Sequence, residues 1–138
     1  MGGSSAEQLI DRLARAWASH DRAGVVALFT DDCLYEDVAL GKSWHGHEEL
    51  AQFVEEMFET VPDFGYEVTS RFATPDHAAI EYVLSGTPRR DPQGNPISCG
   101  RFQVRGSSIL DLREGRIRRN TDYVDMATIM RQMGVGGG

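Results

Sequence analysis

Residues 101–124 read RFQVRGSSILDLREGRIRRNTDYV. Two runs with a period of two flank Arg113-Glu114-Gly115, where glycine stands at the position that wants a left-handed residue. This is a β-hairpin, with strands predicted over 101–112 and 116–124. The same alternation marks strands at 65–72 and 78–86, with 88–96 as a longer loop between strands. Ahead of Pro62 the period is helical. Leu50, Phe53, Val54, Met57 and Phe58 share one helix face behind Gly46, and Glu48, Glu49, Glu55 and Glu56 occupy the other. Leu9, Leu13, Ala16 and Trp17 mark an earlier helix, which Ser4 or Ser5 can cap, with Gln8 three residues past Ser5. The stretch 20–24 breaks it, and Val25, Val26, Leu28 and Phe29 form a second short helical turn. A strand follows in which Cys33, Tyr35 and Asp37 face one way and Leu34, Glu36 and Val38 the other. Met126 to Met133 closes the chain as a short helix capped by Gly134. Helices first and strands afterwards is an α+β pattern: a curved antiparallel sheet wrapped around N-terminal helices as a cone-shaped α+β barrel, with an internal pocket.

At 138 residues the chain has the size of one domain, 1–138, of which 135–138 reads as a flexible tail. A net charge of -7 opposes nucleic acid as a partner, since only Arg116, Arg118 and Arg119 cluster basic charge. No apolar run approaches the roughly 20 residues of a membrane span, so no membrane partner is expected. Residues 1–5 lack the basic and apolar regions of a signal peptide, and a cytoplasmic location is the expectation. Cys33 and Cys99 read as small buried hydrophobes rather than a disulfide. His45 and His47 suit a metal only if other ligands converge on them; neither a metal nor a cofactor is expected. His77 reads as a turn residue and His20 as a helix terminus.

Three groups of residues carry a family resemblance: 25–32 (VVALFTDD) with Tyr35-Glu36-Asp37 and Trp44-His45-Gly46; Gly115-Arg116-Ile117 with 121–125 (TDYVD); and 130–134 (MRQMG). In this order the chain resembles SnoaL-like polyketide cyclases of the nuclear transport factor 2-like and ketosteroid isomerase-like superfamily. The resemblance implies that superfamily's cone, a homodimer through the outer sheet face, and a small apolar organic molecule as partner. Similarity to the cyclases places their acid/base aspartate at Asp122. Similarity to ketosteroid isomerase places its general base at Asp37, its oxyanion-hole tyrosine near Leu13 and its protonated aspartate near Ser108. Similarity to limonene epoxide hydrolase places the water-holding residues at Tyr35 and Asp37 and one catalytic aspartate at Asp122, while its Arg-x-Asp pair falls at Ile80 and Tyr82.

The residues themselves bear on this chemistry. By alternation Arg118, Asn120, Asp122 and Val124 share a face, so an inward Asp122 brings Asn120 with it. A carboxylate in an apolar cone loses hydration, which raises its pKa toward the range useful for moving protons near neutrality. Asp37 in the same cavity makes a coupled pair. Against this, Asp122 can pair with Arg118 or Arg119 at a strand end, and Asp37 can cap the turn through Val38 to Lys42. Tyr35 and Tyr82 aim hydroxyls at the pocket or pack locally, and Trp44 walls the cavity or covers the loop. Glu81 has the parity of the outer face, within reach of Arg105 or Arg119. The expected activity is proton transfer next to a carbonyl, as in an aldol-type cyclase or an isomerase acting on an apolar polycyclic or polyketide-like substrate. The alternatives are epoxide hydrolase-like water addition and a non-catalytic apolar-ligand carrier.

Overall fold

Hydrophobic spacing decides which face each helix presents to the sheet. In the computed structural model, which describes residues 5–91 and 93–134, α1 (Ser5–Ala18) buries Leu9, Ile10, Leu13, Ala16 and Trp17. A cap from Ser4 and the tail at 135–138 lie outside the described residues. α2 (Arg22–Ala27) starts where the Asp21 carboxylate accepts from the Gly24 N–H at 2.9 Å. Phe29, expected in that helical turn, instead opens strand β1 (Phe29–Asp37). β2 (Lys42–His45) leads into α3 (Gly46–Thr60). Glu48 and Glu49 lie in its first turn, where negative charge favours the helix dipole, and Glu49 also accepts from the His45 N–H at 2.9 Å. Its Leu50 is fully buried, a burial worth about 1.5–3 kcal/mol. β3 (Gly65–Ala73), β4 (His77–Gly86), β5 (Phe102–Arg113) and β6 (Arg116–Val124) follow. α4 (Met126–Met133) begins at an Asp125 cap and ends on left-handed Gly134.

One six-stranded sheet runs in the order β2-β1-β6-β5-β4-β3. α1 packs on β3, α3 on β1 and α4 on β5, so the apolar helix faces and the inner sheet face share one core. Two features correct the expected all-antiparallel sheet. β1 pairs with β6 in parallel, which sets Tyr35 opposite Asn120 and Asp37 opposite Asp122. β2, absent from the sequence pattern, adds an antiparallel edge strand to β1.

The hairpin also departs from simple alternation. Leu112 pairs with Ile117 but Asp111 pairs with Arg119, which leaves Arg118 as the extra residue of a bulge. Inward with Asn120 and Asp122 stands Ile117, fully buried, not Arg118. The bulge keeps an unpaired guanidinium out of the core; Arg118 instead reaches Asp111 at 4.0 Å on the exterior. Cys33 is buried in the core and Cys99 half-buried, and both are free thiols. No helix among the described residues is long and apolar enough to cross a membrane.

Candidate active site

Four strands, β1, β4, β5 and β6, deliver the polar groups around Asp122, because cross-strand partners on one face of a sheet point the same way. Asp122 on β6 pairs in register with Ser108 on β5 and with Asp37 on β1. All three are buried, Asp122 being only 8% exposed. Its carboxylate accepts from the Ser108 hydroxyl at 2.5 Å and the Asn120 amide at 2.6 Å, both at Oδ1. The Tyr35 hydroxyl donates to Oδ2. Tyr82 stands behind this group, its hydroxyl 2.8 Å from Ser108 Oγ and 3.2 Å from the Ser107 carbonyl.

The alternative partners of Asp122 are occupied elsewhere. Arg119 binds Glu36 at 3.0 Å, and Arg118 faces Asp111. Glu81 is exposed on the outer face. Asp37 fills both of the roles open to it: it lines the cavity, and its Oδ1 accepts from the Leu40 N–H at 3.0 Å.

The enclosed space is about 110 Å³. Tyr35, Asp37, Tyr82, Ser108, Asn120 and Asp122 all line it. Trp44 does not; it stacks on Phe53 at 4.1 Å and meets Tyr35 edge-on at 6.0 Å, bracing two of the lining rings from behind. A space of this size is below the roughly 150 Å³ that holds benzene, so a polycycle does not fit inside it as it stands. Leu40 lines the cavity and is 38% exposed, which places it at the edge. A larger open depression of about 610 Å³ lies on the opposite sheet face near Glu81, Arg105 and Tyr123.

Burial sets the electrostatics. Loss of hydration lifts the Asp122 carboxyl from its ordinary 3.8 to about 6, against the opposing pull of Ser108, Tyr35 and Asn120, and the negative charge of Asp37 adds to the rise. Asp37 is raised as well, chiefly by burial, while the Leu40 and Ala39 amides and Lys42 pull it down. Tyr35, Tyr66 and Tyr82 are pushed far up by burial and by Asp122, so all three stay neutral donors near pH 7. The site is thus a carboxylate that titrates near neutrality, held by neutral donors in a mostly apolar enclosure. No group of three or more His, Cys, Asp or Glu among the described residues is arranged to hold a metal ion.

The model of the SnoaL-like polyketide cyclase family matches residues 7–133. The chain belongs to that family. Solved structures agree on the ketosteroid isomerase-like fold. A protein of that fold from Catenulispora acidiphila, crystallised with trimethylamine, has 22% identity, a TM-score of 0.82 and coverage of 94% of each chain. A proposed SnoaL-like polyketide cyclase from Jannaschia has 17% identity, a TM-score of 0.84 and coverage of 99% of each chain. IdmH of Streptomyces antibioticus, a proposed polyketide cyclase, has 21% identity and a TM-score of 0.79, covering 96% of this chain and 100% of its own. No protein of curated function matches the sequence.

Several walls of this SnoaL-like cavity went unread in the sequence. Trp17 and Phe53 come from helix faces that read only as core, and Tyr66 from β3. A signal existed for Tyr66, which pairs with Leu84, two residues from Tyr82 on the same face of β4. Tyr66 lies 4.8 Å from Tyr82, ring centre to ring centre.

Proposed function

We propose that the protein is an enzyme of acid/base proton transfer next to a carbonyl, with Asp122 as the acid/base, in the manner of an aldol-type cyclase or isomerase. The observation that carries this reading is the turning of Asp122 into an enclosed apolar cavity with its carboxyl raised to about 6. At neutral pH such a group is mostly ionised, yet basic enough to take a proton from carbon. As it becomes a neutral acid it needs the Tyr35 hydroxyl less, and that hydroxyl turns to the developing enolate oxygen. Ser108 and Asn120 hold Oδ1 throughout, which keeps Oδ2 aimed at the substrate. Asp122 then returns its proton to the rearranged product, so no net charge is left behind. The apolar walls keep competing water away.

The size of the cavity restricts what enters. The carbonyl end of a polyketide-like substrate occupies it, and the remainder lies at the mouth beside Leu40 and Met126. Exchange of α-protons for deuterium in small ketones, followed by NMR, tests the reading. Exchange that Asp122→Asn slows by about 10²–10⁴-fold supports it; exchange that the variant retains, or none with any ketone, sinks it. Heavy oxygen from labelled water in the product would indicate water addition instead. A homodimer through the outer face completes the proposal: Phe72, Ala79 and Ile109 form one row across β3, β4 and β5, with Phe72 72% exposed. Sedimentation of Phe72→Glu against the parent chain checks it.

A further inference from the structure

The cavity around Asp122 is electrically unbalanced. A buried carboxylate ordinarily sits beside a cation, because hydrogen bonds alone leave its charge uncompensated in a low dielectric. Here Asp122 has donors but no counter-charge. Among the described residues lining the cavity there is no lysine, arginine or histidine, and a second carboxylate, Asp37, lines it too. The titratable groups facing Asp122 are Asp37 and Tyr35 from β1, Tyr66 from β3 and Tyr82 from β4; α1, α3 and α4 contribute only apolar side chains such as Trp17, Phe53, Met57 and Ile129. Lys42 acts on Asp37 but is exposed and does not line the cavity.

The walls select among cations. Trp17, Tyr35, Phe53, Tyr66, Tyr82 and Phe102 surround the space, and aromatic faces attract alkylammonium ions through the ring quadrupole. A bare metal ion wants a shell of charged and carbonyl ligands, and among the described residues no three His, Cys, Asp or Glu side chains are arranged to hold one. The volume of about 110 Å³ suits a ligand slightly smaller than benzene.

We propose that this cavity is a binding site for small organic ammonium ions, with Asp122 as the counter-charge and the aromatic side chains as the cage. The ion sits where a carbonyl substrate would enter and therefore competes with it. The inference goes beyond the acid/base reading and holds whether or not the site turns a substrate over.

Calorimetric titration of the full chain with isopropylammonium tests it, with isopropyl alcohol as a neutral ligand of matching shape, both smaller than benzene, and ionic strength held constant. An alkylammonium ion stays fully charged from about pH 5 to pH 7.5, so any pH dependence belongs to the protein. Near pH 7.5 the cation is expected to bind at least about tenfold more tightly than the alcohol. Near pH 5, about one unit below the Asp122 titration, its affinity is expected to fall about tenfold, with the alcohol unaffected. Asp122→Asn is expected to erase the preference for charge. Equal or tighter binding of the alcohol, a flat pH profile, or no cation binding overturns the proposal, and the first two need no variant to fold. Deuterium exchange on the same sample separates the two readings: exchange without cation binding sinks only this inference, and cation binding without exchange sinks only the acid/base reading.

Discussion

Replacing Asp122 by Asn should stabilise the fold at high pH and change it little at low pH. Burial holds the carboxyl at about 6 in the folded state against an ordinary 3.8. A folded-state value raised in this way favours the native chain fully below the ordinary value and loses that advantage as pH rises through about 6. At about 1.4 kcal/mol per pH unit, the ionised group costs the fold about 3 kcal/mol by pH 8 and less than about 1 kcal/mol at pH 4. Asparagine carries no such penalty and retains an acceptor for Ser108 and Asn120, while the Tyr35 hydroxyl can rotate to accept from the new amide. The stability of Asp122→Asn relative to the parent should therefore climb by about 2–3 kcal/mol between pH 4 and pH 8. Urea unfolding of both proteins at the two pH values measures this, and the double difference cancels the titrating groups that do not interact with Asp122. A relative stability that is flat, or that falls with pH, would refute the reasoning, for it would mean that Asp122 is solvated or paired with a cation.

Tyr35→Phe removes one charge-assisted donor, worth about 1.5–3 kcal/mol, and should raise the Asp122 titration by about one to two pH units, read from the pH dependence of proton exchange. Asp37→Asn should lower the same midpoint, since the Asp37 charge raises it; an upward movement would contradict the shared cavity. Gly106→Ala places a methyl 2.8 Å from the Tyr82 ring and should cost about 1–3 kcal/mol in urea unfolding while loosening the Ser108 contact; a change below about 0.5 kcal/mol would show that the ring moves freely. Leu50→Ala, at a fully buried site on α3, should cost about 2–5 kcal/mol without moving the Asp122 titration.

Local periodicity made much of this arrangement legible before any coordinates. A period of two placed Tyr35 with Asp37 and Asn120 with Asp122, and the helical period at Leu50, Phe53 and Val54 fixed the inward face of α3. What escaped was set by contacts distant in sequence or by breaks in period. The parallel pairing of β1 with β6 joins segments more than 80 residues apart and leaves no local trace. The bulge at Arg118 shifts the phase of the strand by one, which alternation cannot reveal because the arginine run is polar on either face. Trp44 stood at the right place in the chain to wall the cavity, but the short edge strand β2 turns it onto Phe53 instead. The cavity volume depends on how Trp17, Phe53 and Tyr66 pack together from three separate elements, and no single segment encodes it.

The Asp122 carboxyl carbon reports most directly on all of this. Its chemical shift, followed by NMR across the pH range and assigned through Asp122→Asn, is expected to titrate near 6. A midpoint at or below the ordinary 3.8 would contradict the account, since it would mean that water or a cation reaches the group.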